Sequence, residues 1–136
     1  MLNRAETSSS TDARDAAGFG IVQSEPDAQT TVVAVEGDLD LSTAPRLKWM
    51  LVDALEQGHR RLVVDLSHTT FMDSTALGVL VAVWRRLQSG ERLTVVCTKP
   101  DVLKIFEYAG MDGAFAIFST LDDALAHTRE HAARAG

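Results

Sequence analysis

The residues of this sequence best suited to chemistry are Asp73 and Ser74, which stand just before an apolar run that starts at Ala76. A serine hydroxyl can accept a phosphoryl group, which adds about −1.5 to −2 charges at neutral pH. The apolar spacing predicts that a helix begins here, and the N–H groups and dipole at a helix start favour an anionic group. Asp and Ser are also ordinary helix-capping residues. From residue type and spacing alone, the pair is therefore either a helix cap or a modification site.

A hydrolytic role for Ser74 would require a positioned general base. His68 is close in sequence, but we expect it to lie in a loop, and no Gly-x-Ser-x-Gly turn surrounds Ser74. The sequence therefore argues against a serine hydrolase, and we predict no catalytic residue.

The remaining reactive or bulky side chains favour structural roles. His127 and His131 are four residues apart and share one face of a predicted helix, but no third metal ligand accompanies them, so we predict no metal site. Cys97, the single cysteine, falls at the end of a predicted buried strand and is expected to fill the core. Trp49 and Trp84 stand among apolar helical positions, and we expect both to pack in the core, with an exposed Trp edge that anchors a partner as the alternative.

The overall charge excludes several classes of protein. The chain has 136 residues, with 13 Lys and Arg against 19 Asp and Glu, which gives a net charge of −6. Phosphate neutralisation requires clustered cations, so the negative net charge argues against nucleic acid and anionic membranes as partners.

The sequence also lacks the pattern of a membrane-spanning segment. The longest strongly apolar run, 76–84, is much shorter than the about 20 residues that cross a bilayer. The first residues lack the apolar core of a signal peptide, so we expect a cytoplasmic protein.

Apolar periodicity predicts strands that alternate with helices after a β-hairpin. The predicted strands are 19–22, 31–35, 61–66, 93–97 and 115–118. Four helices follow capping or proline residues, and the first three end near glycines: Ser42 or Thr43 to Gly58, Ser74 to Gly90, Pro100 to Gly110, and Ser119 or Thr120 onward. The order β-β-α-β-α-β-α-β-α predicts a single α/β domain, with a mixed, mostly parallel sheet of about five strands and four helices.

The first 17 residues differ from the rest of the chain. They contain a Thr-Ser-Ser-Ser-Thr tract, and no Val, Ile, Phe, Trp or Tyr occurs before Phe19. A segment that buries little apolar surface cannot offset the entropy of ordering. We therefore predict a disordered, solvated tail over 1–17, with a phosphorylated or partner-binding tail as the alternative, and the folded domain over 18–133.

Three segments in register resemble one known family. The segment 71–79 (FMDSTALGV) resembles the signature loop of the STAS-domain anti-sigma factor antagonists. The segment 35–40 (VEGDLD), followed by Ala-Pro at 44–45, is similar to the segment before that family's first helix, and 103–110 (LKIFEYAG) is similar to its late helix. The resemblance covers about residues 18–130. Two departures are Asp38, where Glu is more usual, and Ala76, where many members have Gly.

The resemblance implies a partner-switching regulator that is not an enzyme. The unphosphorylated antagonist would bind an anti-sigma factor that is also a serine kinase, and this binding would free a sigma factor. The kinase would phosphorylate Ser74, with Thr75 as a rival acceptor, and a phosphatase would reverse the step. Asp73 would position or cap the loop, and Asp38 and Asp40 would line the contact surface together with Ser74 and Thr75. ATP would belong to the kinase, so no cofactor of the chain itself is expected.

Two alternatives remain open from the sequence. One is a STAS module of another signalling complex, such as a stress-signalling scaffold or the regulator of a transporter. The other is a small enzyme or nucleotide-binding protein with the same fold.

Overall fold

The structure, a computed structural model, describes residues 18–87, 91–108 and 113–135. The predicted tail (1–17) and the predicted helix ends at Gly90 and Gly110 lie outside the described residues, as does the side chain of His131. The strands are β1 (Gly20–Asp27), β2 (Thr30–Leu39), β3 (Arg61–Met72), β4 (Leu93–Val96) and β5 (Phe115–Phe118). The helices are α1 (Ala44–Glu56), α2 (Ser74–Trp84), α3 (Pro100–Tyr108) and α4 (Leu121–Ala135).

The five strands form one mixed sheet in the order β1-β2-β3-β4-β5. β1 runs antiparallel to β2, and the pairs β2–β3, β3–β4 and β4–β5 are parallel. This arrangement confirms the predicted α/β fold, because each parallel connection contains one helix. It also brings the carboxyl ends of β2 and β3 side by side, which matters for the site described below.

Helices cover both faces of the sheet, so its central strands carry consecutive buried valines. In the pairs Val32–Val33, Val63–Val64 and Val95–Val96, every side chain is almost fully buried. One valine of each pair packs in the main core, on the face covered by α1, α2 and α3. These valines are Val33, Val64 and Val95, and the helices contribute Leu47, Leu51, Leu80 and Phe106. The others pack against α4: Val32, Val63 and Val96 with Ala124. Burial on both faces is typical of a parallel sheet.

β3 is twice as long as predicted, because it continues to Met72 where we expected a loop after residue 66. The first four residues of the extension are polar, and its strand conformation is stabilised by pairing with the end of β2. Within it, the buried Thr69 hydroxyl donates to the carbonyl oxygen of Val35 at 3.0 Å. Local sequence could not reveal this extension, since the hydrogen bonds that stabilise it come from a strand about 30 residues earlier.

α2 ends at Trp84, six residues before the predicted stop at Gly90. The Leu87 N–H donates to the carbonyl oxygen of Trp84, which turns the chain away from the helix axis. The Trp84 indole N–H donates to the carbonyl oxygen of Glu91 at 3.0 Å, and its ring packs against the core as predicted. This bond ties the end of α2 to the start of β4.

The prediction for Trp49 is wrong, since 67% of its surface is exposed. The buried side of α1 contains Leu47, Leu51 and Ala54. Two residues along a helix correspond to a rotation of about 200°, so Trp49 faces away from Leu47. It lies instead at a shallow groove of about 400 Å³ with Ile21, Pro45, Arg46 and Met50.

The prediction for Cys97 is confirmed. Its side chain is buried at the end of β4, and this burial raises the pKa of the thiol. A protonated, buried thiol is a poor nucleophile, which agrees with a packing role.

Candidate functional site

The candidate site lies where β2 and β3 end next to each other. Leu39 pairs with Met72, and the Asp73 N–H donates to the carbonyl oxygen of Leu39 at 3.3 Å. These contacts place the residues after β2 beside the start of α2. Asp38, Asp40 and Asp73 are therefore brought to the edge of the sheet at which Ser74 and Thr75 begin α2.

Asp73 caps α2, which is one of the two roles that residue type and spacing allow for the pair of Asp73 and Ser74. Its backbone is extended, and its Oδ1 accepts a hydrogen bond from the Ala76 N–H at 3.0 Å. A side-chain cap of this kind typically stabilises a helix by about 1 kcal/mol. Ala76 is completely buried, so its methyl group packs in the core and the departure from Gly leaves the helix start intact.

Ser74 and Thr75 are the first two residues of α2, and both are exposed. Within the part of the chain that the structure describes, the Ser74 hydroxyl makes no hydrogen bond. The site therefore presents a free hydroxyl to solvent, and the cap beside it fixes the backbone that carries it.

Asp40 organises the turn between β2 and α1. Its Oδ1 accepts hydrogen bonds from the Ser42 hydroxyl at 2.8 Å, the Ser42 N–H at 2.9 Å and the Thr43 N–H at 3.2 Å. The bond from the Ser42 hydroxyl is the main reason that the pKa of Asp40 lies below its usual value. Asp40 therefore stays ionised at neutral pH.

Thr43 is the N-cap residue of α1, but its hydroxyl does not bond to the helix. The hydroxyl instead donates to the carbonyl oxygen of Asp38 at 2.9 Å and accepts from the Asp40 N–H at 2.8 Å. Thr43 is buried, so these bonds fix the backbone of Asp38 and Asp40 from the interior of the protein.

Asp38 is exposed near the end of β2, and its carboxylate is held by one neighbour. The Thr70 hydroxyl, on β3, donates to Asp38 Oδ1 at 2.7 Å. Sequence reasoning did not single out Thr70, since the two residues are 32 positions apart and meet only through the pairing of β2 and β3.

Two exposed apolar side chains lie beside these carboxylates, and neither was predicted. Leu41 is 72% exposed in the turn after Asp40, and Phe71 is 50% exposed on β3, where it pairs with Asp38. Exposed apolar surface rimmed by polar groups is typical of protein-binding sites when several such side chains lie together. The sequence contained one signal for the exposure of Leu41, because this leucine stands between two polar residues in the turn Asp40-Leu41-Ser42.

The geometry gives no support for catalysis or metal binding at this edge. His68 lies in β3 rather than in the predicted loop, and its Nδ1 contacts the Ser67 hydroxyl at 3.3 Å rather than Ser74. Among the residues that the structure describes, no group of three or more His, Cys, Asp or Glu could hold a metal ion. In the same residues, no helix is both long and apolar enough to cross a membrane.

Comparison with known proteins identifies the class of protein that this fold and site define. The family model for the STAS domain matches residues 22–124, and the chain belongs to this family. The anti-sigma-F factor antagonist RsfB of Mycobacterium tuberculosis is 31% identical over 98 residues, which cover 72% of this chain and 80% of RsfB. An anti-sigma-B factor antagonist of Staphylococcus aureus is 32% identical over 80 residues, which cover 58% of this chain and 74% of that protein.

Solved structures give the same result. The crystal structure of an anti-sigma factor antagonist from Mycobacterium paratuberculosis has a TM-score of 0.75 and 29% identity, and the match covers 86% of this chain and 99% of that one. The three relatives described above are each named for the antagonism of anti-sigma factors.

Proposed function

We propose that the unphosphorylated protein binds an anti-sigma factor with serine kinase activity and thereby frees a sigma factor. Phosphorylation of Ser74 by that kinase ends the interaction, and a phosphatase restores it. The observation that carries the proposal is the free, exposed Ser74 hydroxyl at the capped start of α2, in a chain whose relatives are named anti-sigma factor antagonists. On this proposal the protein is a binding module that acts in the cytoplasm, where sigma factors act.

The partner surface consists of Asp38, Asp40 and Asp73 around Ser74, with Leu41 and Phe71 as apolar anchors. The carboxylates favour a partner that is basic at this contact, because complementary charge accelerates association and selects among partners. Leu41 and Phe71 supply exposed apolar area that a partner can bury, and a few such anchoring residues usually carry most of the binding energy of an interface. Leu41, Phe71 and Asp38 are exposed, whereas Asp40 and Asp73 are half-buried.

The switch follows from the charge of the phosphate. On Ser74 it adds about −1.5 to −2 charges beside three carboxylates. The helix N-terminus tolerates an anion, but Asp73 already occupies the cap with its own carboxylate. We therefore expect the domain to stay folded while the partner, pressed against Ser74, loses affinity. Thr75 remains the alternative acceptor, since its hydroxyl is also exposed.

A sigma-release assay tests the proposal. Each anti-sigma factor kinase encoded in the source organism is purified in complex with its sigma factor, and the unphosphorylated chain is added without ATP. We expect the chain to displace sigma from one complex at near-stoichiometric concentration. If no complex releases its sigma factor, the proposed function is wrong and a STAS module of another signalling assembly becomes the better interpretation.

Two single variants locate the contact in the same assay. Phe71→Ala removes an exposed ring beside Asp38, and we expect about tenfold or more protein to be needed for release, since an interface anchor commonly contributes over 1 kcal/mol. Ile117→Ala is the matched control, because Ile117 is an exposed apolar residue on β5, two strands away from β3. An equal loss of sigma-release activity in Phe71→Ala and Ile117→Ala would contradict the proposed surface.

A further inference from the structure

The parallel pairing of β2 and β3 is interrupted at the candidate site. Gly37 pairs with Thr69, and the next residue of β2, Asp38, pairs with Phe71. One step along β2 therefore corresponds to two steps along β3, which leaves Thr70 as an extra residue without a pairing partner. Such bulges redirect side chains, and they are over-represented next to functional sites.

The bulge brings the Thr70 hydroxyl to the carboxylate of Asp38. Oγ1 of Thr70 donates to Asp38 Oδ1 at 2.7 Å, and both residues are exposed. The neighbouring Thr69 is a useful contrast, because its hydroxyl is buried and bonds to the Val35 backbone, where it stabilises the sheet. The exposed bond of Thr70 contributes less to folding than this buried one, but a hydrogen bond to a charged acceptor is strong enough to favour one orientation of the carboxylate.

We infer that Thr70 is a positioning residue for partner recognition through Asp38. Its hydroxyl occupies Oδ1 of the carboxylate and fixes the orientation of the side chain. Oδ2 receives no hydrogen bond from the residues described and stays available for a cationic group of the partner. A side chain held in its bound orientation loses less conformational freedom on binding, which raises affinity without any new contact. This inference rests on the proposed function, in which Asp38 contacts the anti-sigma factor.

The first test measures the orientation of Asp38 in the free protein. Side-chain NMR couplings report the χ1 distribution of Asp38 in the wild type, in Thr70→Val and in Thr70→Ser. We expect one dominant rotamer in the wild type and in Thr70→Ser, and averaging in Thr70→Val. If Asp38 is equally averaged, or equally fixed, in all three proteins, Thr70 does not position it. This measurement needs no partner, so its result is independent of whether the proposed function holds.

The second test measures affinity for the anti-sigma factor that responds in the sigma-release assay. We expect Thr70→Val to bind about fivefold more weakly than the wild type, and Thr70→Ser to bind like the wild type because it keeps the hydroxyl. In an Asp38→Asn background, where the charged acceptor is absent, Thr70→Val should cause little further loss. The inference is overturned if Thr70→Val binds normally, or if its loss is undiminished in the Asp38→Asn background.

Discussion

Ser74→Asp is expected to weaken binding to the anti-sigma factor by about 100-fold, which corresponds to about 3 kcal/mol. The new carboxylate would lie at the centre of the proposed contact, beside Asp38, Asp40 and Asp73. A partner that covers it must desolvate an additional charge that has no cation of its own. Titration calorimetry with the anti-sigma factor in the absence of ATP gives the affinity directly.

Two control variants separate the effect of a charge at position 74 from the loss of the hydroxyl and from the effect of added charge elsewhere. Ser74→Ala removes the hydroxyl without adding charge, and we expect its affinity to stay near that of the wild type. Ser24→Asp adds the same charge to an exposed position on β1, where the proposed surface is absent, and should also bind normally. Equal affinity of Ser74→Asp and the wild type would remove the electrostatic basis of the switch. A folded Ser74→Ala that fails to bind would show that the hydroxyl itself belongs to the contact.

Gly37→Ala is expected to lower the free energy of unfolding by about 3 kcal/mol, through backbone strain and a steric clash together. Gly37 has φ +95°, a conformation that residues with a Cβ rarely adopt. A Cβ atom there would lie 2.9 Å from the Gly18 carbonyl oxygen and 3.1 Å from the Phe19 Cα. Both are backbone atoms, so the clash cannot be relieved by a side-chain rotation.

Gly78→Ala is the matched control for Gly37→Ala. Gly78 lies within α2, and a Cβ there would meet no atom within 4 Å. Because alanine favours a helix over glycine by about 1 kcal/mol, this variant should be at least as stable as the wild type. Urea denaturation of the two variants provides the comparison. A Gly37→Ala protein as stable as the wild type would mean that the hairpin end can shift freely, contrary to the close approach of Gly18 and Gly37.

Much of the fold could be predicted because its signals are local. Alternating apolar patterns, glycine stops and capping residues lie within one element, and they gave the correct order of strands and helices. The last strand, Phe115–Phe118, matched its prediction at both ends. The Thr120 hydroxyl accepts from the Asp123 N–H at the start of α4, as its capping role predicts. At the site, residue type and position narrowed the cap of α2 to Asp73 or Ser74, and the structure shows that it is Asp73.

The parts that could not be predicted depend on contacts between distant segments. The extension of β3 and its bulge at Thr70 are determined by pairing with β2, so the sequence of β3 alone contains no signal for them. The exposure of Trp49 has a different cause. A tryptophan among apolar helical residues resembles a core residue by type. Its direction depends instead on its position around the helix, and Trp49 lies on the side opposite the buried Leu47.

Phosphorylation of the wild-type protein by its own partner tests the central claim most directly. The chain is incubated with ATP and the anti-sigma factor that responds in the sigma-release assay. Mass spectrometry then maps the modified residue. Sigma release by the same sample is measured before and after phosphorylation. We predict a single phosphate on Ser74 and loss of sigma release, which returns after phosphatase treatment. Phosphate found only on Thr75 or elsewhere, or full sigma release by protein phosphorylated on Ser74, would contradict the account.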